Sequence, residues 1–318
     1  MIIEMLHTVS VIIPTLLPTI GASLGQAAIG KHTLQAVYTQ PEADSALKKV
    51  SGIGLAITET AAILGLVVSL FFLLSPIPEA NAYYASFGRI GIALAMGISG
   101  LMGGFLSAKP VVAATISVSR QPFFSGKILN LMFITQTLIM TPNIFGFLIA
   151  LLIRSKIHAV TSLVQGLQLL AAGLVIGVGS IGPSIGLSTF AAAACIAVGQ
   201  NKKVYNRILS LAFVTEAMIE ASAIFALLIA LSIINYSVTP QTDILHGIAF
   251  LSAAMCMGLS SIASGISSGR TGAATCKKIA ELPEIAQQVS KINILALTLI
   301  DSFPIYGLIV SIILIYFT

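Results

Sequence analysis

The chain has 318 residues, of which 57% are hydrophobic and only 8% charged, with a mean hydropathy of +1.01 and no tryptophan. A soluble globular protein carries roughly 25% charged residues, so these values exclude one, together with a disordered chain and any large aqueous domain. The 16 basic against 11 acidic residues are too small a basic excess for a nucleic-acid binder. What remains is an all-α, multi-span membrane protein.

The N-terminal stretch MIIEMLHTVS lacks a basic n-region, so the first apolar run is expected to be a retained helix rather than a cleaved leader. Apolar runs of bilayer length, about 20 residues, then follow near 9–38, 48–75, 87–118, 126–154, 162–199, 204–235, 244–276 and 288–317. They predict eight transmembrane helices. The odd-numbered ones are rich in Gly, Ala and Ser, the even-numbered ones in Leu, Ile and Phe. Cys195, Cys256 and Cys276 lie in small apolar stretches without CxxC spacing and read as small buried hydrophobes.

A repeat runs through the even helices. The signatures IleLeuGlyLeu (63–66), IlePheGlyPhe (144–147), IlePheAlaLeu (224–227) and IleTyrGlyLeu (305–308) are preceded at a fixed distance by Glu59, Met140, Glu220 and Asp301. Polar turns at 39–42, 120–123, 199–202 and 281–284 share the period of about 80. The chain therefore divides into four tandem helical hairpins: 1–79 with Glu59, 80–158 lacking the carboxylate, 159–239 with Glu220, and 240–318 with Asp301.

Of the 16 basic residues, 13 lie in or beside the turns within hairpins, leaving Arg89, Arg154 and Lys156 near the connectors. Cytoplasmic loops attract Lys and Arg, so the turns are expected to be cytoplasmic and both termini outside. Closely spaced glycines on the odd helices permit close backbone approach in lipid. They predict two concentric layers, narrow helices inside and bulky ones outside.

A mid-span carboxylate costs about 2.5–3.5 kcal/mol on insertion scales and is functional by default. Burial disfavours its charged form, so Glu59, Glu220 and Asp301 are candidate reversible carriers of a proton or a cation. In hairpin 1, Gln26, Glu59, Thr60 and the Ile57 carbonyl form a hard-oxygen set suited to Na⁺. Ser107, Gly186 and Ser268 stand where Gln26 does; Thr141, Ala221 and Ser302 stand where Thr60 does. Hairpin 3 adds Glu216, one turn before Glu220, and the two are expected to share a proton. Hairpin 2, with Met140 and Gln136, reads as a silent spacer. Its Lys109 reads as a snorkelling lysine, in a stretch made locally irregular by Pro110.

The stretches QAAIGKHTLQAVYTQPE (26–42) and ITETAAILGLVVSL (57–70) resemble the rotor-ring proteolipid of F-type ATP synthases, their c-type rotor component. The resemblance spans the chain hairpin by hairpin and is weakest in hairpin 2. Four hairpins in one chain is similar to the fused proteolipids of V-type machines. The resemblance implies a homo-oligomeric ring in a bacterial-type inner membrane, with the a-type stator component, central-stalk subunits and lipid as partners. Glu59, Glu220 and Asp301 would carry H⁺ or Na⁺, with ligands also drawn from neighbouring hairpins, such as Thr141 or Ser302. The turns, here Gln40, Pro41, Glu42, Arg120, Gln121 and Pro122, would contact the stalk. No cofactor and no enzymatic activity of its own are expected. H⁺ is the favoured ion, because hairpin 3 lacks the extra ligands and every carrier must work in one ring. The alternatives are a V-type-like rotor of an ATP-driven ion pump and a secondary transporter with internal repeats.

Overall fold

The computed structural model describes residues 2–74, 82–239 and 242–317. The expected hairpin boundary at 79/80 lies outside them, and the one at 239/240 falls at their edge. Hairpin 1 is α1 (Ile2–Thr39) and α2 (Asp44–Leu73). In hairpin 2 each span is broken once, giving α3 (Ala82–Leu106), α4 (Ala108–Arg120), α5 (Ser125–Ile139) and α6 (Thr141–Lys156). Hairpin 3 is α7 (Leu163–Gly179), α8 (Ile181–Gln200) and α9 (Tyr205–Asn235). Hairpin 4 is α10 (Ile244–Glu281), α11 (Ala286–Ile300) and α12 (Ser302–Tyr316). Eight spans result among the described residues, as the apolar runs predict.

The breaks fall at Ser107, Met140, Ser180 and Asp301, two or three residues ahead of Pro110, Pro142, Pro183 and Pro304. Each proline lacks the N–H that would bond the carbonyl four residues back, so the ladder opens at mid-span. The irregularity expected beside Lys109 is one of the four. The turns at the hairpin tips are single 3₁₀ turns opened by Pro41, Pro122 and Pro283. In hairpin 3 Lys202 replaces the proline, and Asn201 restores the turn by accepting from the Lys203 amide at 3.1 Å.

The odd spans pack on one another in chain order: α1 against α3 and α4, α3 against α7, α4 against α8, and α7 and α8 against α10. The even spans lie outside them. Glycine sets the inner spacing. A methyl group built on Gly173 would overlap the Gly91 backbone, and one on Gly186 would overlap Gly265. Within hairpins, the repeat reappears as a bond. Ser69 donates to the Val11 carbonyl at 2.6 Å, and Ser311, at the same place in hairpin 4, donates to Ala253 at 2.9 Å.

Between hairpins, Gln121 donates to the Gly199 carbonyl at 2.7 Å, and Asn201 to Ala280 at 3.4 Å. At the opposite end, two of the exceptional basic residues bind the final turns of outer helices. Arg154 donates to Phe71 at 3.0 Å and Lys156 to Ile234 at 2.7 Å. Their charge suits a helix C-terminus, which accounts for their place outside the basic cluster.

Apolar side chains form two cores, one toward the turns (Leu47, Val118, Phe190, Ile208, Ile279) and one toward the termini (Phe72, Met96, Ile149, Ile229, Phe250). Between them lies a belt of buried polar groups at the level of the helix breaks. Gly173→Ala should destabilise the protein by about 1–3 kcal/mol through overpacking, read as a lower thermal midpoint in detergent. Gly126→Ala, whose new methyl meets open space within α5, should hold the midpoint or raise it slightly.

Candidate ion-carrying site

The polar belt is built from outer helices that each bring one residue to the same repeat position. Glu59 is exposed on α2, Met140 is buried at the α5–α6 break, Glu220 is half-buried on α9, and Asp301 is half-buried at the α11–α12 break. Their neighbours on the outward faces are apolar: Ile63 and Leu66, Ile224 and Leu228, Phe303 and Ile305 are all exposed.

In hairpin 1 the structure distributes the expected oxygen set. The Thr60 hydroxyl donates to the Ile57 carbonyl at 2.6 Å, occupying one lone pair of that oxygen. Gln26 is half-buried and its amide nitrogen lies 3.4 Å from the Leu55 carbonyl, one helical turn from Glu59. Gln26 and Thr60 thus each donate to a backbone carbonyl of α2, from the two adjoining helices of one hairpin.

Hairpins 2 and 3 meet through their outer helices. Thr141, the first residue of α6, lies beside the Glu220 carboxylate. Hairpin 3 has Ala221 at the corresponding position, so the hydroxyl near Glu220 comes from the preceding hairpin. Glu216 does not share this neighbour. It is 0% exposed and neither of its carboxylate oxygens has a hydrogen-bond partner. The expected proton sharing therefore has no direct contact behind it. One turn of helix separates a carboxyl facing the hairpin boundary from one sealed inside the protein, where Cys195 and Cys276 are its buried titratable neighbours.

Hairpin 2 replaces titration with hydrogen bonding. Gln136, fully buried, donates to the Gly54 carbonyl at 2.9 Å and to the Thr58 hydroxyl at 3.3 Å. Ser107, at the α3–α4 break, donates to the same hydroxyl at 3.1 Å. Thr58 in turn donates to Gly54 at 2.9 Å. This knot ties hairpin 1 to hairpin 2 beside Met140. Sequence reasoning singled out Gln136 and Ser107 but missed Thr58, whose partners lie 49 and 78 residues away. A second knot joins hairpins 3 and 4, where Asn293 donates to Thr215 at 3.1 Å and accepts from Thr275 at 3.1 Å.

The tip residues Gln40, Pro41, Glu42, Arg120, Gln121 and Pro122 lie together at the turn end, far from the carboxylates. Pro41, Glu42 and Arg120 are exposed, whereas Gln121 is partly committed to Gly199. Gln136→Leu should lower stability by up to about 1 kcal/mol, because two buried acceptors each lose one of their donors. Thr137→Val should be near neutral, since Thr137 is exposed and bonds only its own helix. Thermal unfolding of the two variants checks the contrast.

Comparison with known proteins accords with this geometry. The family model for the ATP synthase C subunit matches four times, over residues 9–72, 90–153, 170–233 and 251–314. The chain is similar to the ATP synthase c subunit of Chloroflexus aurantiacus, 41% identical over 66 residues, which are 21% of this chain and 87% of that protein. It is also similar to the A-type ATP synthase K subunit of Methanocaldococcus jannaschii, 29% identical over 227 residues, 71% of this chain and 94% of that protein. Each of the four matched units contains one position of the Glu59, Met140, Glu220 and Asp301 series. The chain belongs to the family of ATP synthase C subunits, with four of its hairpins joined in one polypeptide.

Proposed function

We propose that the chain is the membrane rotor subunit of a rotary ATP synthase or ATPase, and that Glu59, Glu220 and Asp301 carry its coupling ion. One observation carries the reading: three carboxylates stand at the same repeat position, at mid-span, on outer helices whose neighbouring side chains are apolar and exposed. A neutralised carboxyl can pass through hydrocarbon and an ionised one cannot. A stator that offers water and a cation at one point of the circle would then bias rotation. Each elementary charge moved through 100 mV supplies about 2.3 kcal/mol.

Thr141 on Glu220 supports a rule for the whole ring: each carboxylate is met by the residue at the Thr60 position of the preceding hairpin. In a ring of identical copies, the residue that meets Glu59 by this rule is Ser302 of the adjoining copy. Asp301 meets Ala221 at this position and has no hydroxyl from that source. Sites that differ this much in oxygen ligands share only the ability to bind a proton, which favours H⁺ over Na⁺. The basic tips favour a cytoplasmic position for the turns, against the central stalk. Met140 removes one carrier in four and lowers the number of ions per turn. That leaves less energy per turn for synthesis, or a steeper attainable gradient when ATP drives pumping.

A carboxyl-modifying carbodiimide should label Glu59, Glu220 and Asp301 and leave the sealed Glu216 unlabelled. Na⁺ at fixed pH should not slow the reaction. Absence of label at all three carriers would contradict the reading, and protection by Na⁺ at all three would make Na⁺ the ion.

A further inference from the structure

The outer helices of hairpins 3 and 4 leave a groove of about 610 Å³ between α9 and α11, at the turn end of the bundle. Its mouth is polar and basic. Arg207 reaches across from α9 to the Pro283 carbonyl, Lys291 faces it from α11, and Asn206, Ser210, Gln287 and Ser290 supply further donors. Its floor is apolar, made by Leu211, Val214 and Ile294. Val214 and Ile294 are each 42% exposed, so the floor opens outward.

The repeat explains why the groove exists. The first residue of α9 is Tyr205 and the first residue of α11, at the same repeat position, is Ala286. Between hairpins 2 and 3, Tyr205 fills the corresponding space. It is 5% exposed, accepts a hydrogen bond from Asn130 at 3.2 Å, stacks edge-on against Phe124, and lies under the Lys127 ammonium. Between hairpins 3 and 4, alanine leaves the space open, while Arg207 and Lys291 ring it with positive charge.

We propose that this groove is a binding site for one anionic phospholipid. The phosphate sits between Arg207 and Lys291, and an acyl chain runs along Leu211, Val214 and Ile294. Charge complementarity selects the occupant. Two cations at the interface end of a membrane span, with no carboxylate among the lining residues, suit a phosphate headgroup. The volume lies in the range of small-molecule sites. Arg207 holds one N–H on Pro283 and keeps the rest of its fork for the phosphate. The groove lies within one chain, so it does not depend on ring closure or on the identity of the coupling ion. Ile294 lies about 10 Å along the helix from Asp301, at 1.5 Å per residue. A lipid seated there would line the approach to that carrier.

The test uses the detergent-purified assembly of the full chain, equilibrated with phosphatidylglycerol or phosphatidylcholine, with bound lipid counted by native mass spectrometry. Phosphatidylglycerol should be retained preferentially. Each of Arg207→Gln and Lys291→Gln should weaken it about fivefold, and the double variant about 25-fold. Ala286→Tyr should abolish retention by filling the groove, while Tyr205→Ala should not. A photo-crosslinking residue at position 290 in native membranes should capture lipid. Equal retention of both lipids, retention unchanged in the variants, or capture of a protein at position 290 would each overturn the proposal.

Discussion

A carboxyl group half-way through a bilayer must be neutral whenever its helix turns to hydrocarbon, because nothing there solvates the charge. The architecture follows from that constraint. The outer helices present their acids at one level, flanked by exposed Ile, Leu and Phe, and the inner helices supply a rigid hub on which that level is held. Repeat positions separated by 80 or 81 residues can share a depth only if every hairpin packs on the hub in the same way.

Glycine makes the hub and proline shapes the belt. Gly91 against Gly173, and Gly186 against Gly265, bring inner backbones into contact, where any side chain would hold them apart. The breaks at Ser107, Met140, Ser180 and Asp301 then divide the apolar packing into an upper and a lower core. Polar side chains gather in the gap: Thr58, Ser107 and Gln136 at one boundary, Thr141 with Glu220 at the next. Hairpin 2, which lacks the carboxylate, contributes to both. Its Gln136 closes onto hairpin 1, and its Thr141 meets the carboxylate of hairpin 3. A hairpin without an acid of its own is thus part of its neighbours' polar belt.

The hairpins, the repeat and the common position of the acids were legible from sequence because each is periodic: apolar runs of bilayer length, tips every 80 residues, and acids at a fixed offset from a short apolar signature. The helix break beside Lys109 was legible because Pro110 is adjacent. The breaks at Met140, Ser180 and Asp301 carry the same signal in Pro142, Pro183 and Pro304 and were overlooked among residues read for their chemistry. Thr58 was not legible. A threonine in an apolar helix carries no mark of partners on two other helices. Glu216 and Glu220 show the limit of i,i+4 reasoning, since a helix at a boundary can bury one residue of such a pair and leave the next half-open. Ala286 became informative only beside Tyr205, when packing showed what the larger ring fills.

The central claim is that the mid-span acids drive the machine while the packing merely carries them. Replacing all three by amides, Glu59→Gln, Glu220→Gln and Asp301→Asn, keeps their shape and hydrogen-bonding capacity and removes titration. The decisive measurement is ion-coupled ATP turnover of the complex containing this triple variant, with ring assembly checked in parallel. The account predicts intact rings and no coupled turnover. Intact rings with undiminished coupled turnover would contradict it.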